Sequence, residues 1–489
     1  MYNWLVMVTL VAMTACMAGC GKTKTFDDPN ANYTDDLLKF VPAKAEVVIA
    51  INPQRLLESA GCEWTDDGIK LDDKWLEKLK EMPDGEKNLK KIKEGLKITG
   101  VNHNSLVVFC DGVRNWYAMM AITDHDKIDE YLKDRPVDKA QEFDGFKVWN
   151  MEKNDGCIID DSDDGLLWFV TNEEGKDAVK AVQNLKKSAE DKALPDWGRS
   201  VLTKENSEVS ALVNINAFGV NLTGLLKMAG VDSRLIGEDV AYVGASLAEA
   251  DHKVDFALTT YNADGKAADL LNPQLRQGAD FSAMDALPSQ CLSGMGVAVN
   301  AQTLISMIPS AQRELNDEQL RGYVNSLRSV AFGFTAMSPR DFSSNNFPNF
   351  ALTATFNNNQ ASELFNFIAQ MIKSEGIGTV NGNTIVVPME RGVTPFEGNM
   401  TITTSGDVIM VTNIPGATVG NSNPMPVSTA GALMACYSKP GAVIGVNIPE
   451  TGYGLLTPDG LQSHGAIPAE YPGLIASVID YATNIINQL

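Results

Sequence analysis

The stretch EVVIAIN, Glu46 to Asn52, is an apolar run closed by an asparagine, and its reading decides the fold. Related strings return as SALVNIN (Ser210 to Asn216), GMGVAVN (Gly294 to Asn300) and GAVIGVN (Gly441 to Asn447). Asn52 is followed by Pro53, Gln54 and a helical run holding Leu56 and Leu57. An asparagine at a helix N-cap accepts a hydrogen bond from an unpaired first-turn amide, and proline is favoured at the next position. Asn300 precedes AQTLISMI and Asn216 precedes AFGVNLTGLLKMAG, two further helix openings, while Asn447 precedes Ile448-Pro449, which suits a turn. The phrase therefore predicts a strand that hands over to a helix. The asparagine is read as a cap, in preference to a shared ligand site.

The phrase belongs to a longer internal match. VVIAINPQRLL (Val47 to Leu57) aligns with MGVAVNAQTLI (Met295 to Ile305) without a gap. AMMAITDHDKIDEYL (Ala118 to Leu132) follows the plan of ALTATFNNNQASELF (Ala351 to Phe365). DGFKVW (Asp144 to Trp149) and NGNTIVV (Asn381 to Val387) come next, then DGLLWFVTN (Asp164 to Asn172) and SGDVIMVTN (Ser405 to Asn413). Four matches in one order imply a duplication, with halves starting near Leu37 and Leu287.

VVIAIN and LLWFVT are nearly continuous apolar runs, suited to central strands covered on both faces. KVDFALTTY and NFALTATF alternate, as strands packed on one side do. Asp111-Gly112, between two apolar runs, marks a hairpin. The expected fold is α+β and internally duplicated, with mostly antiparallel sheets and helices packed on one face. The expected layout is a signal peptide at 1–19, a tether at 20–36 and halves at 37–286 and 287–489. Sub-repeats begin near 207 and 431, and the last of the four looks truncated to a Gly/Pro-rich passage and a terminal helix, LIASVIDYATNIINQL. An insertion at Leu71 to Leu96, Lys-rich and balanced by acids, reads as a solvated helical hairpin.

Trp4 to Gly19 carries no charge and ends in small residues, which suits the core and processing site of a signal peptide. Met17-Ala18-Gly19-Cys20 resembles the lipobox of bacterial lipoproteins, which implies cleavage before Cys20 and acylation of its thiol and new amine. Several acyl chains on one residue anchor a protein durably, whereas a single chain binds reversibly. The adjoining stretch GKTKTFDDPNANYTD is polar and reads as a tether.

The net charge of -22 argues against nucleic acid and against anionic lipid surfaces as partners. Hydrophobic residues make up 44% of the chain, ordinary for globular protein, and about 470 residues remain beyond the signal, enough for two to four domains. Apart from Cys16 and Cys20, the cysteines (Cys62, Cys110, Cys157, Cys291 and Cys436) are scattered, with no CxxC; one disulfide is compatible with an oxidising compartment.

Catalytic motifs are sparse. DDSDDG (Asp160 to Gly165) starts like a calcium loop, but Thr171 stands where a bidentate acid is needed, so a hairpin turn is the better reading. His125 lies between two aspartates in TDHDK, yet its counterpart is FNNNQ, which can cap a helix but not move protons. No HExxH or GxSxG occurs, and GIGTVNG runs from helix to strand, the wrong way for a dinucleotide loop. Neither cofactor nor metal is expected. DFSSNNFPNF (Asp341 to Phe350) is the most unusual loop. Phe342, Phe347 and Phe350 would form its contact patch, although the clasp of a long hairpin is the plainer alternative.

With lipobox, tether and the early phrase VPAKAEVVIAIN together, the chain resembles an uncharacterised family of Bacteroidetes lipoproteins known as a domain of unknown function. The resemblance implies an outer-membrane lipoprotein, facing the periplasm or the cell surface, and brings no catalytic residues. The leading expectation is a non-catalytic envelope protein that binds a protein or glycan partner. A hydrolase of envelope or dietary polymer is the second, and an adhesin-like structural subunit the third.

Overall fold

β1 (Val47–Ile51) is an inner strand, paired antiparallel on both sides. The structure, a computed structural model, describes residues 26, 28, 31–65, 68–71, 100–112, 115–133, 137–151, 156–218, 224, 228, 236–301, 318–336, 348–389, 398–421, 424–442 and 449–478. The chain divides into two compact units: 1–221 with 240–266 and 469–489, and 222–239 with 267–468. The division therefore falls at 266/267 rather than 286/287, and the C-terminal segment joins the first unit. There Leu474 N donates to Glu249 Oε2 at 3.0 Å, and Ile475 N donates to Ser59 Oγ at 3.2 Å.

The first unit contains β1, β4 (Val101–Cys110), β5 (Trp116–Ile122), β6 (Gln141–Phe143), β7 (Phe146–Asn150), β8 (Gly156–Asp161), β9 (Leu166–Thr171), β10 (Ser207–Asn214), β11 (Tyr242–Ala250) and β12 (Lys253–Tyr261), with a separate hairpin β2–β3 (Cys62–Thr65, Gly68–Leu71). The main sheet runs β6-β7-β8-β9-β5-β4-β1-β10-β11-β12, each neighbour antiparallel. Its turns carry the residues such turns demand. Asp144-Gly145 and Asp251-His252 take positive φ between their strands, the geometry whose twist suits a two-residue hairpin.

Helices α1 (Thr34–Leu38), α2 (Pro53–Ser59), α3 (His125–Lys133), α4 (Gly175–Asp191) and α5 (Asp196–Leu202) cover this sheet. They do so on both faces, not on one. Leu37 and Leu38 of α1, Val179 and Val182 of α4 and Leu202 of α5 join Val48, Phe109, Met119 and Trp168 in one core. Ile128 and Leu132 of α3, with Leu56 of α2, join Ile51, Leu106, Met120 and Phe169 in the other. The cause is the continuous apolar runs. Successive strand residues point to opposite faces, so a run with no polar alternation asks for cover on both.

The second unit contains β13 (Ser293–Val297), β14 (Leu327–Phe334), β15 (Phe350–Phe356), β16 (Thr379–Asn381), β17 (Thr384–Met389), β18 (Gly398–Ser405), β19 (Val408–Thr412), β20 (Met434–Ser438), β21 (Gly452–Thr457) and β22 (Gly460–Ala466). Its sheet runs β16-β17-β18-β19-β15-β14-β13-β20-β21-β22, again antiparallel throughout. Strand for strand, this is the order of the first sheet. Helices α6 (Ser282–Asp285), α7 (Glu318–Ser326) and α8 (Gln360–Glu375) accompany it.

Two expectations change here. The strand that pairs with β13, as β10 pairs with β1, is Met434–Ser438 rather than GAVIGVN, of which residues 443–448 lie outside the described residues. The Gly/Pro-rich passage after it forms the hairpin β21–β22, so the last sub-repeat keeps its strand pair. Most of the helical insertion (72–99) and 479–489 of the terminal helix are also outside the described residues.

A hydroxyl-lined cavity in the second unit

β17, β18 and β19 lie side by side, and their ladder brings hydroxyls together on one face. Thr384 stands opposite Thr403, and Thr401 opposite Thr412. Side chains two apart share a face, so Thr401, Thr403 and Ser405 form a column along β18. The segment after β19 supplies the wall, with Ile414, Gly416, Ala417, Thr418 and Val419. Between floor and wall is a cavity of about 430 Å³, within the range of small-ligand sites.

Thr412 fixes the wall. Its hydroxyl donates to Phe350 O at 2.7 Å and accepts from Ile414 N at 3.0 Å, turning the chain as it leaves the sheet. Asn383, just before β17, also lines it, its Nδ2 donating to Thr404 O at 3.0 Å. Among the described residues, Thr401, Thr403, Ser405 and Thr418 spend no side-chain hydrogen bond on the protein, so each offers a donor and an acceptor to whatever enters. None of the lining residues is ionisable. The lining can exchange hydrogen bonds with a neutral polar molecule. It has no group that carries a proton or a charge.

The residues singled out by sequence are dispersed. Cys20, Phe342 and Phe347 lie outside the described residues. Phe350 is 7% exposed, packed on Phe332 with ring centroids 5.4 Å apart, so it is a core residue of β15 and not a contact surface. Asn52 caps α2, accepting from Arg55 N at 3.0 Å. In the second copy the capping position falls two residues earlier, where Asn214 accepts from Ala217 N at 3.3 Å and Asn216 lies within a short 3-10 turn. Asn300 donates from Nδ2 to Gln277 O at 2.7 Å, a tie between loops.

Three of the four acids of DDSDDG are committed to neighbours around the β8–β9 turn. Asp160 holds His125 Nδ1 at 2.8 Å, and Lys186 bridges Asp161 and Asp164 at 2.7 and 2.6 Å. Among the described residues, no three His, Cys, Asp or Glu side chains are grouped to hold a metal ion, and no helix is long and apolar enough to cross a membrane. Cys62, Cys110, Cys157 and Cys291 are buried free thiols, and Cys436 is an exposed one. Burial pushes the Cys157 thiol up to about 12.

Sequence reasoning passed over the threonines. The signal was present in GNMTITTSGD, where hydroxyls recur at the strand period, and in the passage beyond Asn413. IPGATVGNSNP has no helical pattern, whereas EEGKDAVKAVQNL after Asn172 does.

No family model matches the chain, and no characterised protein matches it in sequence. Among solved structures, crystal form III of TP0453 is similar with a TM-score of 0.28 and 7% identity, over 47% of this chain and 80% of that one. Crystal form I of TP0453 gives 0.27 and 9%, over 50% and 82%.

Proposed function

We propose that the protein is a lipid-anchored component of the cell envelope that binds a neutral, hydroxyl-rich ligand, a glycan segment, without catalysing its turnover. The observation that carries the binding role is the lining of the cavity: unspent threonine and serine hydroxyls with no ionisable group among them. Such a surface recognises alcohols, which donate and accept like itself, and offers nothing to pair with a charged ligand. The anchor rests on the Met17-Ala18-Gly19-Cys20 motif. We further propose that the two units descend from one doubled ancestor, which their common strand order supports.

The test is calorimetric titration with neutral gluco- and manno-oligosaccharides beside uronic-acid oligosaccharides of equal length. Binding of a neutral sugar, weakened by roughly thirtyfold in T401V/T403V, is expected for two lost hydrogen bonds of about 1 kcal/mol each. Selective binding of the acidic sugars, or affinity unchanged in the double variant, would sink the reading. Chain cleavage during the titration would favour the hydrolase alternative.

A further inference from the structure

In the polar segment that follows Cys20, Phe26, Asp28 and residues 31–34 are fastened to the first unit. Phe26 N donates to Ile122 O at 2.9 Å, and its ring lies 4.6 Å from that of Tyr33. Tyr33 OH accepts from Asp28 N at 3.2 Å, while Tyr33 N donates to Ser105 Oγ at 2.6 Å. Asn102 Nδ2 donates to Ala31 O at 2.8 Å. Asn32 Oδ1 accepts from Thr34 N at 2.9 Å and from Ser105 Oγ at 3.3 Å.

The receiving strand is built for this. Between the pairs Val101–Ile122 and Leu106–Met120 the β4–β5 register shifts, so residues 102–105 leave the regular ladder. Asn102 and Ser105, in that bulge, are fully buried polar side chains. Burying an amide or hydroxyl costs free energy unless it is hydrogen-bonded, and residues 31–33 supply bonds to both.

We infer that Phe26, Asp28 and residues 31–34 act as a strap, and that the six residues from Cys20 to Phe26 keep the rim at the start of β4 and the end of β5 within roughly 20 Å of the membrane surface. Six residues fully extended reach no further than that, at about 3.3–3.6 Å each. This rests on the lipid-anchor reading proposed above. The far end of β4, ten residues long, lies roughly 30 Å deeper along the strand at about 3.3 Å per residue. The net charge of -22 disfavours approach to anionic lipid, so the short leash sets the orientation instead of surface attraction.

The experiment uses the full-length acylated chain in C436S background, carrying a fluorophore at D126C near the rim or at K44C near the far end of β4. The protein is reconstituted in phosphatidylcholine vesicles with a headgroup acceptor. Quenching at 126 at least about twice that at 44 is expected from the strand length. Twenty Gly/Ser residues inserted after Lys24 should bring the two together, because such a linker spans about 25 Å as a coil and lets the body turn. Exchange of the Tyr33 amide should speed at least about tenfold in S105A, which removes its acceptor. Equal quenching without the insertion, a difference that survives it, or unchanged exchange overturns the strap. Mass spectrometry showing an unacylated Cys20 in the mature chain overturns the anchor reading and the proposal together.

Discussion

The two units share a strand order and differ in what stands on one face of it. Counted from the last pair before each hairpin turn, and so one residue out of step with the match of DGLLWFVTN to SGDVIMVTN, the β8–β9 pairs Cys157–Val170 and Ile159–Trp168 correspond to the β18–β19 pairs Thr401–Thr412 and Thr403–Met410. On the next strand, Val148 opposite Ile159 corresponds to Thr384 opposite Thr403. In the first unit these side chains are buried in one core with Ala178, Val179, Val182, Leu185 and Ala189 of α4, which follows β9. After β19 the described chain contains no helix before β20; it runs irregularly through Ile414 and Gly416 and leaves the cavity. Valine, cysteine and isoleucine go with full burial, while beside the cavity Thr384, Thr401 and Thr403 are half-buried and Thr412 and Met410 are buried. One strand order has been filled for stability in one place and for access in the other.

The comparison breaks most directly at Trp168. It is fully buried, 6.5 Å edge-on to Phe109, and its Nε1–H has no partner among the described residues. W168A is expected to cost about 3–5 kcal/mol and M410A nearer 2, read as shifts in urea midpoint. W168F should cost far less than W168A, since it keeps most of the ring and removes the unpaired donor. If M410A costs as much as W168A, the second unit is packed as tightly as the first and the contrast fails. A second break is Ile159→Thr, which sets the residue of the open face beneath α4. A hydroxyl there meets an apolar core with no partner, at an expected cost of about 2–3 kcal/mol.

The first unit also carries a buried proton balance that acid can probe. Burial pulls the His103 imidazole, on β4, down to about 4. The unfolded chain therefore binds a proton that the folded chain refuses between pH 6.5 and 4. Stability from this group is complete above 6.5 and is lost as pH falls through that window, by no more than about 3 kcal/mol. Glu208 works the other way. Burial foremost raises its carboxyl to about 6, so its contribution is complete below 4.5 and is lost as pH rises through 6. H103N should flatten the acid limb of a stability profile, and E208Q should steepen it. The same direction of change in both variants would mean that the pair does not titrate as described.

How much of this was legible depended on whether local chemistry or distant pairing decided the outcome. The cap at Asn52 was readable because a helix start needs only its neighbours, here Pro53 and the Arg55 amide. The hairpins were readable from Asp-Gly pairs. Cover on both faces was half written in VVIAIN and LLWFVT, whose continuous apolarity contradicted an expectation of helices on one side. The second Asn was misplaced by two residues because β10 ends at Asn214, a boundary set by its pairing with β1 and β11. The cavity stayed hidden for a similar reason. Threonine suits any half-exposed strand, and only the ladder shows that Thr384, Thr401, Thr403 and Thr412 converge. Substituting Asn52→Ala removes the readable part alone, at an expected cost of about 1 kcal/mol.

The smallest expected effect is the most discriminating within the cavity itself. Thr403 and Thr412 are both threonines on its floor, but only the second spends its hydroxyl on the protein. Valine preserves the branched shape, so Thr→Val isolates the loss of the hydroxyl at each site. T412V leaves the buried Phe350 carbonyl and the Ile414 amide each one bond short, at an expected cost of about 1–3 kcal/mol. T403V removes a hydroxyl that bonds no group among the described residues, so the denaturation midpoint should move by no more than about 0.5 kcal/mol. If T403V proves as costly as T412V, its hydroxyl already serves the fold, and the cavity loses the unspent donor and acceptor that mark it as a binding surface.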